Sequence, residues 1–188
     1  MIEKYYPQLL EIGATGRNSG KTFFAKEVIH RVKSDHKIVA LKIVTIKQRG
    51  VCQQGENGCG MCTSIDNGFE LIEETNHLGM KDTMQMLQAG CKRVFMLKAF
   101  ENSLIDGFEA FLKKVGNDVL VICESNSLRN YLKPGLFVMI HNQVNIKPSA
   151  QKVLEYADFI IKKEHVSDSE ITVKFDGKHW IQIEKMLA

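Results

Sequence analysis

The sequence has few prolines, little excess charge of either sign and no long hydrophobic run, and each shortage removes a class of protein. With 3 prolines and 14 glycines among 188 residues, it is neither collagen-like nor dominated by linkers. Its 25 Lys and Arg face 22 Asp and Glu, a net charge of +3. These charges are interspersed along the whole chain, which excludes the concentrated basic stripe of a nucleic-acid-binding surface. No apolar stretch approaches the roughly 18 residues that a bilayer span requires. Met1 to Gly16 also lacks the basic, apolar and small-residue sections of an export leader. The expectation is a cytoplasmic protein with neither nucleic-acid nor membrane partners. In a reducing compartment its 5 cysteines are expected as thiols, and a cluster among them points to metal or redox chemistry.

What is present builds a core. Hydrophobic residues make up 44% and charged residues 25%, values of an ordinary globular chain, and the length predicts a single domain over residues 1–188. Strand-length apolar runs occur at Leu9–Ile12, Ile38–Val44, Val94–Leu97, Val119–Cys123, Leu136–Ile140 and Phe159–Ile161. Helical spacings lie between them. Phe24, Val28 and Val32 stand four apart, Leu104, Phe108, Phe111 and Leu112 share one face, and so do Ala150, Val153, Leu154 and Ala157. A shorter helix is predicted from Asp82, as its N-cap, to Gly90, with Met84 and Leu87 facing inward. Strands alternating with helices predict an α/β fold with a mainly parallel sheet and helices on both faces. At about 170–184, Ile171, Val173 and Phe175 alternate with polar residues before Asp176-Gly177 and then Trp180, Ile181 and Ile183. That pattern predicts an antiparallel hairpin, expected to protect the sheet edge. The stretch from about 47 to 67 has no clear period, and a loop of that length is usually functional.

The chemistry is densest after the first run, at Gly13-Ala14-Thr15-Gly16-Arg17-Asn18-Ser19-Gly20-Lys21-Thr22. Gly16 and Gly20 allow a turn in which the amides of Gly16, Arg17, Asn18, Ser19 and Gly20 point inward at phosphate oxygens, and the helix N-terminus adds partial positive charge. Lys21 would reach the β- and γ-phosphates and the Thr22 hydroxyl would hold Mg²⁺. The motif departs from the usual pattern at Thr15, where a glycine is expected. Glu124 ends the apolar run beginning at Val119, the place from which a carboxylate coordinates magnesium or positions attacking water. Asp82 is a further catalytic candidate, although an N-cap already has a structural use.

Cys52, Cys59 and Cys62 fall in the long loop, and Cys59-Gly60-Met61-Cys62 has the two-residue spacing that lets two sulfurs reach one metal ion. Three thiolates suit Zn²⁺, a soft transition metal or an iron–sulfur cluster. The fourth ligand is open between His77, Cys91, an exogenous group and a cysteine of a second subunit. Cys123, inside an apolar run, reads as an inert core thiol.

Together these motifs resemble the P-loop NTPases of the molybdopterin-guanine dinucleotide biosynthesis protein B family. That family lies within the class containing the signal-recognition, urease-accessory and hydrogenase-accessory GTPases. The likeness rests on Gly16 to Thr22, on Lys81-Asp82-Thr83 with Ala89-Gly90, and on Glu124. It implies a Mg²⁺-dependent nucleoside triphosphatase, binding ATP or GTP, that serves metallocofactor maturation together with a client protein, in a possible homodimer. Relatives that read guanine carry Asn-Lys-x-Asp where this chain has Lys162-Lys163-Glu164-His165, so the base stays open. Nickel-handling relatives place metal ligands in the interval that Cys52, Cys59 and Cys62 occupy. The alternative reading is a metal or redox sensor that holds nucleotide without hydrolysing it. A small-molecule kinase ranks third, because the arginines (Arg17, Arg31, Arg49, Arg93 and Arg129) form no lid-like segment.

Overall fold

The structure, a computed structural model, describes residues 4–47, 65–142, 146–167 and 171–184. In its sheet β1 (Lys4–Ala14) lies between β5 (Leu120–Glu124) and β6 (Leu132–His141). The remaining strands of the sheet are β2 (Ile38–Ile46), β3 (Phe69–Glu74), β4 (Arg93–Phe100) and β7 (Phe159–Lys162). They lie in the order β3-β4-β2-β5-β1-β6-β7, with every pair parallel except β3 with β4. The expected mainly parallel α/β sheet is borne out.

Alternation along the strands divides the core in two. Leu10, Ile12, Ala40 and Ile122 pack on one face against α1 (Lys21–Val32) and α2 (Asp82–Ala89). Leu9, Val39, Leu41 and Val121 pack on the other against α3 (Leu104–Val115). On that second face Phe137 and Met139 of β6 also meet Ala150 of α4, the single turn Pro148–Gln151. Burying both faces explains why the central runs are continuously apolar rather than alternating.

Two expectations are corrected. β3 carries Glu70, Glu73 and Glu74 among its apolar residues and shows no strand run in the sequence. As an edge strand it keeps them half-exposed, and pairing with β4 lets Glu73 hold Arg93 through two bonds of 2.6 and 2.7 Å. The C-terminal hairpin, β8 (Ile171–Phe175) with β9 (Trp180–Glu184), is not an edge guard. It forms its own two-stranded sheet, and Val173 and Trp180 are buried in the cluster beneath α1. The Trp180 indole N–H donates to the Gln8 carbonyl at 3.0 Å. An indole large enough to cover a core and polar enough to need an acceptor finds both on the sheet face.

Candidate phosphate-binding site

β1 ends where the loop begins, and neighbouring strands hold that end in place. The Asn126 side chain, just past β5, accepts from the Ala14 N–H at 2.8 Å and donates to the Ala14 carbonyl at 2.9 Å. Thr15, the residue that departs from the motif, is fully buried. Its hydroxyl accepts from the Asn142 N–H at 2.7 Å and donates to the Asn142 carbonyl at 3.2 Å, tying the loop to the end of β6. The hydroxyl therefore provides an anchor that a glycine there would lack.

Gly16 and Gly20 are each required for a different reason. A Cβ on Gly16 would lie 3.1 Å from the Asn142 amide nitrogen, so the close approach of loop to β6 favours a residue without one. Gly20 has φ 89°, and its missing Cβ faces Val166 at 3.2 Å. It caps α1 in the left-handed region, and Lys21 then opens the helix. The amides of Lys21, Thr22 and Phe23 have no acceptor within their own helix and face the loop with the positive end of its dipole.

Cations gather here. Lys21 and Arg17 act electrostatically on Lys147, which burial pushes down to about 8. The Lys147 N–H also donates to the Thr15 carbonyl at 2.9 Å. Burial likewise holds the Lys21 ammonium below its ordinary range, while the Glu124 carboxylate pulls it back up. Mutually repelling ammonium groups kept partly out of water are what an absent anion would relieve.

Glu124 closes the site. It is 3% exposed and its Oε1 is buried with no hydrogen-bond partner among the described residues. Its Oε2 stands 3.8 Å from the Lys42 ammonium, which is ion-paired with Asp82. Asp82 does not cap α2 as expected. Lys81 holds the cap position, and Asp82, first residue of the helix, turns its carboxylate to Lys42. The structure thus links Lys21, Glu124 and, through Lys42, Asp82, while Thr22 follows Lys21 in the first turn of α1. A carboxylate oxygen with no hydrogen-bond partner among the described residues suits Mg²⁺, a hard cation.

Sequence reasoning missed Lys42, Lys147, Asn126 and Asn142. A lysine in the middle of an otherwise apolar strand is the one signal that could have flagged Lys42. Cys52, Cys59 and Cys62 lie outside the described residues. Among the described residues no group of three or more His, Cys, Asp and Glu could hold a metal ion. Cys91 is a poor fourth ligand: it is buried in the α1 core cluster, which pushes its thiol up to about 12. Cys123 is buried and pushed well above the ordinary thiol range, as expected of an inert core residue. A cavity of about 480 Å³ lies far from this cluster, at the other end of the strands, lined by His36, Asp118 and Phe175 among others.

The sheet order, the helices on both faces and the loop between β1 and α1 define the α/β fold of the P-loop NTPases. The fold matches the structure of the apo form of LpxK from Aquifex aeolicus in complex with ATP, with a TM-score of 0.53 at 14% identity. The match covers 95% of this chain and 55% of LpxK, so the chain spans about half the length of that neighbour. No protein-family model matches the chain, and no curated protein does. No helix among the described residues is long and apolar enough to cross a membrane.

Proposed function

We infer that the protein binds a nucleoside triphosphate with Mg²⁺ at the β1–α1 loop, hydrolyses it slowly, and couples that cycle to maturation of a metal-containing cofactor or enzyme. The observation that carries the reading is one convergence. The α1 N-terminus and the cations Arg17, Lys21 and Lys147 gather at one loop, and Lys21 also feels Glu124, whose buried Oε1 has no hydrogen-bond partner among the described residues. Lys21 would hold the β- and γ-phosphates, the amides from Gly16 to Gly20 would cradle them, and Thr22 with Glu124 would hold Mg²⁺. The bound ion would supply charge neutralisation between β- and γ-oxygens. Hydrolysis then asks the protein mainly for positioning and electrostatic stabilisation.

That the neighbouring LpxK structure was solved with ATP supports a nucleotide of that class. The resemblance to cofactor-assembly NTPases, and the spacing of Cys52, Cys59 and Cys62, support the coupling to a metal centre, Zn²⁺ or an iron–sulfur cluster among them. A client protein and a homodimer belong to the same proposal. Anaerobic purification followed by metal, iron and acid-labile sulfide analysis per chain tests it, with ATP and GTP titrated into the same preparation with and without EDTA. The expected result is tight Mg²⁺-dependent nucleotide binding and a metal affinity that changes with nucleotide. Metal affinity indifferent to nucleotide would sink the coupling, and absence of nucleotide binding would sink the whole reading.

A further inference from the structure

Lys42 stands where a core residue belongs. Side chains on β2 alternate between faces, and position 42 falls on the face of Ala40, over the layer formed by α1 and α2. Here the chain carries an ammonium with its side chain only 23% exposed. A charge taken that far out of water is tolerated when anions meet it. Asp82, at the start of α2, pairs with it directly. Glu124, its register partner on β5, lies at 3.8 Å, beyond hydrogen-bonding distance, and its Oε1 has no hydrogen-bond partner among the described residues. The ammonium is therefore tethered on the α2 side by Asp82 and has Glu124 as its neighbour on β5.

Glu124 stands between two ammonium groups: its charge acts on Lys21 and it is the near neighbour of Lys42. Glu124 is thus the group the two lysines share, and an anion held by Lys21 beside it would meet Lys42 on its flexible stem. We propose that Lys42 is a catalytic residue for phosphoryl transfer to water, its ammonium meeting the γ-phosphoryl oxygens from the strand side while Asp82 acts as the positioning residue that holds it there. This inference rests on the nucleotide reading above. In the reaction the water oxygen bonds to the γ-phosphorus, and the bond from that phosphorus to the β–γ bridging oxygen breaks. The electron pair of the broken bond stays with the nucleoside diphosphate, and the water proton leaves to the released phosphate or to solvent. Charge spreads onto the equatorial and bridging oxygens in the transition state. A cation already held in a partly dry cleft stabilises that charge without reorganisation.

The test compares wild type with Lys42→Met and Lys42→Arg, using ATP and GTP with Mg²⁺. Three quantities are measured: nucleotide affinity, single-turnover hydrolysis, and retention of the diphosphate with aluminium fluoride as a mimic of the transferring group. The Met variant is expected to keep affinity within about 3-fold while hydrolysis and retention fall about 100-fold, and Arg is expected to recover most of that loss. If Lys42→Met fails to fold, the double variant Lys42→Met/Asp82→Asn, which removes the whole pair, carries the same expectation. Asp82→Asn alone should lower kcat and leave KM for nucleotide unchanged, with Asp82→Glu restoring activity. Hydrolysis at the wild-type rate in the Met variant overturns the proposal. So does a loss of affinity as large as the loss of rate, and so does a wild type that binds nucleotide but neither hydrolyses it nor retains the mimic. A wild type that binds no nucleotide overturns the underlying reading, visible before any variant is compared.

Discussion

Glu11 and Glu124 stand on adjacent strands one residue out of step, since Glu11 pairs with Cys123 and Ile12 with Glu124. Both are buried, and each has one carboxyl oxygen without a hydrogen-bond partner among the described residues. The single-residue offset sends them to opposite faces of the sheet. Glu11 points to the α3 side, where its other oxygen accepts from the Arg129 N–H at 3.1 Å. The Arg129 guanidinium caps this region, donating to the Leu132 carbonyl and lying over the Tyr156 ring at 4.8 Å. Glu124 points to the α1 side, to the open end of the sheet, between Lys21 and Lys42. One buried carboxylate is enclosed by its own fold, and the other opens onto a cluster of cations at a loop. Burial of a carboxylate does not by itself mark a site; what the remaining oxygen faces does.

Substitutions sharpen that contrast, beginning on the open side. Lys21→Ala should weaken nucleotide binding by about 100-fold or more, because a charge-assisted contact to phosphate is lost. The fold should survive, which circular dichroism alongside a binding titration would check. Glu124→Gln should cut hydrolysis about 100-fold and make nucleotide affinity insensitive to Mg²⁺, an outcome read from paired titrations with and without EDTA. Glu11→Gln should do neither.

Its effect belongs to stability instead. Burial pushes Glu11 up to about 8, so between about 4.5 and 8 the folded protein keeps a proton that the unfolded chain releases. The stabilisation from that proton is complete at the acid end and is lost as pH rises through that window. Urea unfolding at pH 5 and pH 8 should show wild type losing on the order of 3 kcal/mol, a slope that Glu11→Gln removes.

The smallest effect is expected at Lys147, again on the open side. With its ammonium pushed down to about 8, raising pH from 7 to 9 neutralises it and should weaken nucleotide binding. Lys147→Met should bind about 10-fold less tightly at pH 7, the loss of one charged contact, and should flatten that pH dependence. The sign for stability is opposite. Between about 8 and the ordinary lysine value the unfolded chain holds the extra proton, so the nucleotide-free protein should gain stability as pH rises there. Binding and unfolding measured on one pH series would test both signs.

The parts that were readable before folding share a local cause. α2 runs Asp82–Ala89 with Gly90 at φ 117° after it, and α3 buries Leu104, Phe108 and Phe111, because apolar spacing and a terminating glycine act within one helix. The phosphate loop was legible for the same reason, its glycines and lysine being neighbours in sequence. β3 was not legible, since an edge strand needs little apolar content; its Glu73 and Glu70 are satisfied by Arg93 and Lys98 of β4, and Glu74 by the Thr83 hydroxyl of α2. The hairpin was seen but misplaced. The Asp176-Gly177 turn is local, whereas the burial of Trp180 under α1 depends on a face formed by Leu10, Ile12 and Ile161.

By itself, then, the sequence determined the alternation of strands and helices, the parallel character of the sheet, the loop at Gly16 to Thr22 and the carboxylate at the end of β5. Periodicity and turn chemistry act over a few residues and leave their mark in the order of the chain. Only the tertiary structure decided that Thr15 is bonded to Asn142, that Asp82 answers Lys42 rather than its own helix, and that Lys147 joins Lys21 and Arg17. The bond between Thr15 and Asn142 joins residues 127 positions apart. Such contacts exist because strand order and register bring β1, β2, β5 and β6 to a common edge, and nothing in local composition encodes that meeting.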